Sequence, residues 1–452
     1  MGTGDIEWLN ADGDIRGDIR ALRLAAFDLN GIARGKRVPA THASKAFSGG
    51  LRMPLSALNV DIWGADIHDS PLVFDTGDAD GTLRPTERGL VPISWFDTLS
   101  ALLPLWMFND DGTPFQGDAR HALKAVLERY RARALTPVVA TEMEFYLLDG
   151  SAALPAPPRS PATGQPLAAL DVLSLAGLDE FDAFFTDLYA ACAEMDIPAD
   201  AAISEAGPGQ FEINLVHVDD ALKAADDAVL FRMAVKGIAR KHGMHASFMA
   251  KPYVDQPGNG MHVHFSVLDE AWENILDDGT ARGADALRHA VAGLLAAMPA
   301  CALVFAPHGN SYRRLTPDSH APTAAAWGYE NRTAAIRIPG GSPVARRIEH
   351  RVAGGDANPY LMLTAILGAA LIGIEEEMTP PPPVTGNAYQ ASAPQLPATW
   401  EGAIARFETD PLIARLFPQE LIRNMVLCKR QEMARLQDAD AALEFSTLMR
   451  AL

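Results

Sequence analysis

Cysteine is scarce in this 452-residue chain: Cys192, Cys301 and Cys428 are all it has. They are far apart, odd in number and form no CxxC pair, which fits free thiols in a reducing compartment. Basic residues are also short. Lys and Arg number 38 against 57 Asp and Glu, a formal charge of -19, and a balance that acidic repels phosphate and argues against a nucleic-acid partner. Long apolar runs are missing too. Leu361–Ile374 is too short to span a bilayer, and Ala290–Pro307 is Ala-rich and broken by Pro299, so both read as core helices. Met1–Asn10 carries acids and no basic stretch ahead of an apolar run, so no signal peptide is expected. The expectation is a soluble, cytoplasmic protein with neither a membrane nor a nucleic-acid partner. Neither GxxxxGK[ST] nor GxGxxG occurs, so a bound nucleotide would need some other cradle.

What the chain does contain is a change of rhythm. Residues 1–115 show short apolar runs punctuated by Gly, Pro and Asp, as in Asp28-Leu29-Asn30-Gly31, and read as a β-rich N-terminal domain. Arg120–Ala134 turns helical. From there strands (Val138–Leu148, Phe211–Val218, His262–Leu268) alternate with helices (Phe181–Met195, Ala221–His242), the pattern of an α/β or α+β core over 116–452. Ser151–Leu167 reads as a surface excursion. Thr379–Thr399, with four consecutive prolines, reads as a loop leading into C-terminal helices.

Charge sits in unusual places within these strands. Residues i and i+2 of a strand point the same way. Glu142 and Glu144 therefore share a face of an otherwise apolar strand, as do His262 and His264 of another, and Arg347, Glu349 and Arg351 of a third. Glu205 and Glu212 flank a Gly207-Pro208-Gly209 turn. Each pattern alone has an ordinary explanation: a solvated edge, a satisfied core histidine pair, a salt-bridge ladder. Together they would bury like charges at several kcal/mol each unless a cation compensates (~2–7 kcal/mol for a polar group, more for a charge). Five glutamates and a histidine form a hard donor set suited to Mg²⁺ or Mn²⁺. Divalent ions beside several arginines are the usual equipment for phosphoryl transfer.

These segments resemble the glutamine synthetase family. The likeness runs from Phe27-Asp28-Leu29-Asn30-Gly31 to Asn358-Pro359-Tyr360-Leu361. It is carried by the Glu142/Glu144 strand, Glu205–Glu212, Gly258–His264, Asn310–Leu315, Glu330–Thr333 with Arg337-Ile338-Pro339, and Ala345–Arg351. The resemblance implies an α+β fold: an N-terminal β-grasp domain, then a catalytic domain with a curved antiparallel sheet, or partial barrel, surrounded by helices. It also implies two stacked hexameric rings with sites between subunits. One metal ion would fall to Glu144, Glu205 and Glu212, and a second to Glu142, His262 and Glu349. Arg314, with the Gly258 backbone and His262 nearby, would bind glutamate, and Arg351 would face its γ-carboxylate. Arg332, Arg337 and Arg347 would hold ATP phosphates and the transferring group, with His264 and Ser266 along the nucleotide. Asp61 either takes the ammonium proton or is an ordinary turn residue.

The implied reaction is ATP-driven conversion of the L-glutamate γ-carboxylate to an acyl phosphate, which an amine then attacks. Family members using ammonia carry a glutamate just before Ala-Pro in the flap. Here His320 precedes Ala321-Pro322, which turns the expectation from ammonia toward a polyamine or other primary amine. Trp327–Thr333 and Arg347–Gly354 resemble the γ-glutamylpolyamine synthetase branch. Tyr389 lacks the surroundings of the tyrosine that some bacterial members adenylylate, so no such control is expected. Glutamine synthesis from ammonia, and a non-catalytic ring of the same fold, remain the alternatives.

Overall fold

In the computed structural model, which describes residues 19–47, 50–152, 154–167, 172–437 and 439–452, the chain opens with six strands. They are β1 (Ala21–Phe27), β2 (Ala33–Pro39), β3 (Leu51–Pro54), β4 (Asp80–Pro85), β5 (Val91–Ile93) and β6 (Ser100–Phe108). They form one sheet in the order β2-β1-β6-β4-β3, with β5 beside β6. The β1–β6 pair is parallel. Period-two alternation divides its faces. Leu22, Leu24, Leu103, Leu105 and Met107 build a small core of their own. Ala25, Phe27, Val91 and Leu102 on the other face join the main core of the molecule.

The turn from β1 to β2 shows how the local sequence sets geometry. Asp28 Oδ1 accepts from Asn30 N and Ile32 N, both at 2.9 Å. Gly31 supplies the left-handed residue at φ +72°.

The chain then enters α1 (Ala119–Arg131), capped by Asp118, and β7 (Thr136–Asp149). There follow α2 (Asp182–Glu194), β8 (Ala199–Ser204), β9 (Gln210–Leu215), α3 (Ala221–Lys241), β10 (Met244–Ser247), β11 (Met261–Leu268) and α4 (Asp285–Ala297). After these come β12 (Trp327–Tyr329), β13 (Ile336–Ile338), β14 (Ile348–His350), α5 (Pro359–Glu375), α6 (Trp400–Thr409), α7 (Gln419–Leu436) and α8 (Ala441–Ala451). Strands β7 to β14 make an eight-stranded sheet in the order β12-β13-β14-β11-β7-β9-β8, with β10 beside β7. All its pairs are antiparallel except β12–β13.

The two apolar runs are core helices, as expected. Helix α5 is buried through fifteen of its residues, from Pro359 to Gly373. Helix α4 ends at Ala297, ahead of Pro299, and a short helix follows at Ala302–Phe305. The α4–α5 contact depends on two glycines. A Cβ on Gly293 would stand 2.1 Å from Ala369 O, and one on Gly373 2.1 Å from His289 O. Among the described residues no helix is long and apolar enough to cross a membrane.

Boundaries moved where local chemistry outweighed pattern. The helix expected over Arg120–Ala134 stops at Arg131, and Ala134 turns left-handed at φ +55°. The strand expected to reach Val218 ends at Leu215. Strand β8, with the sequence Ala-Asp-Ala-Ala-Ile-Ser, has no apolar alternation to announce it; it exists because β9 offers a free edge.

Candidate active site

Strand register collects the charged residues. Antiparallel pairing sets His262 opposite Glu142 and Glu144 opposite Glu212. It sets His264 opposite Glu349, and Arg337 opposite the same Glu349. Residues directly opposed across a sheet share a face with Cβ atoms about 5 Å apart. Five strands thus contribute to one charged surface. The intervening residues Met143, Phe145, Ile213, Met261, Val263, Phe265 and Ile348 are fully buried in the apolar core behind it. That core fixes the register, because a one-residue slip would turn the charges inward.

Glu142 is the hub. His262 Nδ1 lies 3.1 Å from Glu142 Oε2, and His264 Nε2 lies 2.8 Å from Glu142 Oε1. Arg347 Nε donates to His264 Nδ1 at 3.1 Å, so the His264 proton sits on Nε2 and points to Glu142. Glu349 accepts from Arg337 Nη1 at 2.8 Å and from Arg351 Nη1. The Gly260 amide donates to Glu144 Oε2 at 2.6 Å. Two sets of donors, Glu142/Glu212/His262 and Glu142/His264/Glu349, each have ligand atoms within 4.8 Å of one another. This grouping differs from the one the resemblance implies. His262 stands with Glu212, and His264 stands with Glu349.

The electrostatics mark where positive charge is missing. Burial, with Glu144, Glu142 and Glu205 adding repulsion, pushes Glu212 up to about 9. Burial and Glu144 push Glu205 up to about 7, against the pull of Arg332. Burial works the same way on Glu142, but hydrogen bonds from His262 and His264 outweigh it and hold that carboxyl low. Glu349 is likewise held low against burial by Arg351, His262, His264 and Arg337. Carboxylates that resist ionising next to two histidines fit a divalent, oxygen-seeking cation. In the metal-free protein Glu205 and Glu212 hold protons that the unfolded chain has released. Each therefore subtracts stability as pH rises from the ordinary carboxylate range through about 7 and about 9. Mn²⁺ is expected to raise the thermal midpoint, by an increment that grows across that pH window. A pH-independent increment, followed by scanning fluorimetry, contradicts this.

Beside the carboxylates the backbone runs so close to its neighbours that Gly258 and Gly260 leave no space for a side chain. A Cβ on Gly258 would sit 2.4 Å from Ala250 O, and one on Gly260 2.8 Å from Arg314 Nη2 and 3.0 Å from His262 Nε2. Arg314 is buried and donates to Val352 O at 2.8 Å. Arg351 keeps a buried Nε without a partner. The glycine segment is suspended by side chains that sequence reading passed over. Gln210 Nε2 donates to Gly258 O at 3.1 Å and Asn259 Oδ1 at 3.2 Å. Asn259 Nδ2 donates to Met249 O at 2.9 Å and Ser247 O at 3.2 Å. The Asn259 side chain is thus a three-way brace. The available signal was an amide lying between two glycines.

The remaining expected residues are distributed unevenly. Ser266 follows His264 on the same face of β11, half-buried. Arg332 is exposed on a loop that Asn331 ties to Val384 O and Gly386 O, and its charge acts on Glu205. His320 is exposed at φ +60°, two residues after Asp318 at φ +61°. This flap is pinned by Ser319 Oγ, which donates to Arg314 O at 2.9 Å, and by Tyr389 Oη, which donates to Ala321 O at 3.0 Å. Asp61 keeps different company. It is buried, Oδ1 accepts from Trp63 N and Ala65 N, and Oδ2 accepts from Gln431 Nε2 at 2.9 Å. Its recorded contacts secure a turn against α7.

Four likenesses bear on this geometry. The sequence pattern described as glutamine synthetase, catalytic domain, matches residues 116–448. Gamma-glutamylputrescine synthetase PuuA of Escherichia coli (strain K12) is 37% identical over 90% of this chain and 86% of its own length. Glutamate–isopropylamine ligase of a Pseudomonas species is 32% identical over 91% of each chain. Among solved structures, ligand-free GmaS superposes with a TM-score of 0.80 at 29% identity, over 93% of this chain and 94% of its own.

Proposed function

The chain belongs to the glutamine synthetase family, and we propose that within it the protein joins the γ-carboxylate of L-glutamate to a primary amine at the expense of ATP. The observation that carries this reading is the single charged strand face, with its two carboxylate–histidine sets and the arginines Arg337, Arg347 and Arg351 around them. Relatives named for putrescine and isopropylamine support an amine larger than ammonia.

In this reading Glu142, Glu144, Glu205, Glu212, His262 and Glu349 hold two Mg²⁺ or Mn²⁺ ions, and His264 is adjacent. When bound, these ions neutralise phosphate charge and orient the transferring group. Arg314 and the Gly258 backbone take the glutamate α-carboxylate. Arg351 faces the γ-carboxylate, which Arg332, Arg337 and Arg347 help convert to an acyl phosphate by spreading the charge on the phosphoryl oxygens. Glu349 aims Arg337 and Arg351 toward one point. His264 and Ser266 line the nucleotide side. A neutral amine then attacks the acyl phosphate carbon, forming the C–N bond and expelling phosphate, after a base removes the ammonium proton. The His320 flap covers this step, and Asp61 acts by holding its turn. A β-grasp domain over residues 1–115, a catalytic domain over 116–452, stacked hexameric rings and a cytoplasmic location complete the proposal.

Phosphate release with glutamate, ATP and a panel of ammonium, putrescine, spermidine, ethanolamine and methylamine tests it. One of the primary amines is expected to exceed ammonium in kcat/KM by about tenfold or more, roughly 1.4 kcal/mol of transition-state discrimination. Ammonium as the best substrate by a wide margin makes the protein a glutamine synthetase. No ADP with any amine makes it a non-catalytic ring.

A further inference from the structure

Away from the charged strand face, a cavity of about 420 Å³ opens between the first sheet, α3 and the C-terminal residues. It is lined by four cations, Arg23, Arg232, Lys236 and Arg240, and by no carboxylate side chain. Its wall is aromatic. The Trp95 indole lies flat on α3, so close that a Cβ on Gly237 would come within 2.5 Å of the ring. Arg23 stacks on Phe96 with 4.1 Å between guanidinium carbon and ring centroid.

The cations are poorly compensated. Arg23 Nη1 and Arg232 Nε are buried without a hydrogen-bond partner. The hydrogen bonds they make go to neutral acceptors: Arg232 Nη2 to Ala357 O at 2.5 Å and Met261 Sδ at 3.9 Å, and Lys236 Nζ to Met449 O and Arg450 O at 3.4 and 3.5 Å. Burial, with Arg240 and Arg232 adding repulsion, pushes Lys236 down to about 8. Burial lowers Arg232 to about 10 against the pull of Asp356. A surface salt ladder would pair these charges. Here several converge on one space whose lining includes Leu452 but no Asp or Glu side chain, and which offers rings to stack on; its volume is within the range of small-molecule sites.

We propose that this cavity is a second, non-catalytic site, which binds a small anion carrying an apolar or aromatic body. Arg23, Lys236 and Arg240 meet the anionic group, and Trp95 and Phe96 meet the body. Phosphate and carboxylate ligands share this chemistry, so the test separates them.

Phenyl phosphate, inorganic phosphate and benzoate are titrated calorimetrically into the full-length protein and into Lys236→Gln and Arg240→Gln. Arg240 is exposed, so its variant retains the fold even if Lys236→Gln does not. Phenyl phosphate or benzoate is expected to bind at millimolar concentration or better. Each variant should weaken binding by about tenfold while kcat with the preferred amine stays unchanged. Phenyl phosphate binding above benzoate assigns a phosphate ligand; the reverse assigns a carboxylate. Equal affinity in wild type and Arg240→Gln overturns the site, as does the absence of binding by all three probes. A change of oligomeric state in Arg240→Gln without any probe binding also overturns it, because the cations then face a second copy of the chain.

Discussion

Glu349→Ala is expected to lower kcat/KM by about 10²–10³-fold. That corresponds to roughly 2.7–4 kcal/mol, the range for losing one preorganised electrostatic group. Glu349 is fully buried and is the shared acceptor for Arg337 and Arg351. It also completes one of the two carboxylate–histidine sets. Alanine leaves both guanidiniums repelling each other where a cation should sit. They would drift from the phosphoryl and γ-carboxyl positions proposed for them, and the loss would fall on the transition state. Glu349→Gln separates charge from shape, since it keeps the volume and one acceptor oxygen. Both variants should lose one Mn²⁺ equivalent by calorimetry while their far-ultraviolet dichroism stays native. Wild-type turnover in either variant would sink the site assignment.

The second large effect is one of stability. Glu432→Ala should cost about 3–5 kcal/mol, the range for stranding a buried charge. Lys429 and Glu432 are both completely buried and bonded at 2.8 Å. The same carboxylate accepts from Asn30 Nδ2 at 2.9 Å and from Ile62 N at 2.8 Å. One side chain on α7 thus fastens both the β1–β2 turn and the loop that carries Asp61. Burial works to lower Lys429, but Glu432 above all holds it up and charged. Without Glu432 the ammonium loses its bonded partner and keeps the weaker pull of Asp28. The paired replacement Lys429→Met with Glu432→Leu should recover part of the loss, because no buried ammonium is stranded, although Asn30 Nδ2 and Ile62 N still lose their acceptor. Urea denaturation of the single and paired variants checks this. A single variant with the wild-type midpoint would show that the network fastens nothing.

Much of the charged face could be read directly. Period two put Glu142 with Glu144 and His262 with His264, and physical chemistry required a cation to justify them. The arginines near Glu349 were legible in the same way. Asn259 and Gln210 were not, because an isolated amide in a loop has no periodicity, and their significance lies in the carbonyls they reach. Asp61 was ambiguous for a related reason. A carboxylate that caps its own turn is indistinguishable, in sequence, from one offered to a substrate; here its recorded partners are Trp63, Ala65, Gln431 and Arg435.

The sequence by itself determined the chemistry: hard donors and arginines on apolar strands, no Walker loop, a histidine in the flap. Tertiary structure decided the partnerships. Glu142 reaches His262 across 120 residues and His264 across 122; the register of β14 sets His264 opposite Glu349, and β9 and β11, flanking β7, bring Glu212 and His262 together at Glu142. The physical reason is that alternation along a strand is local, set by the backbone at every second residue. Which strand lies beside it, and in what register, is set by the apolar residues on the opposite face and the core they must fill.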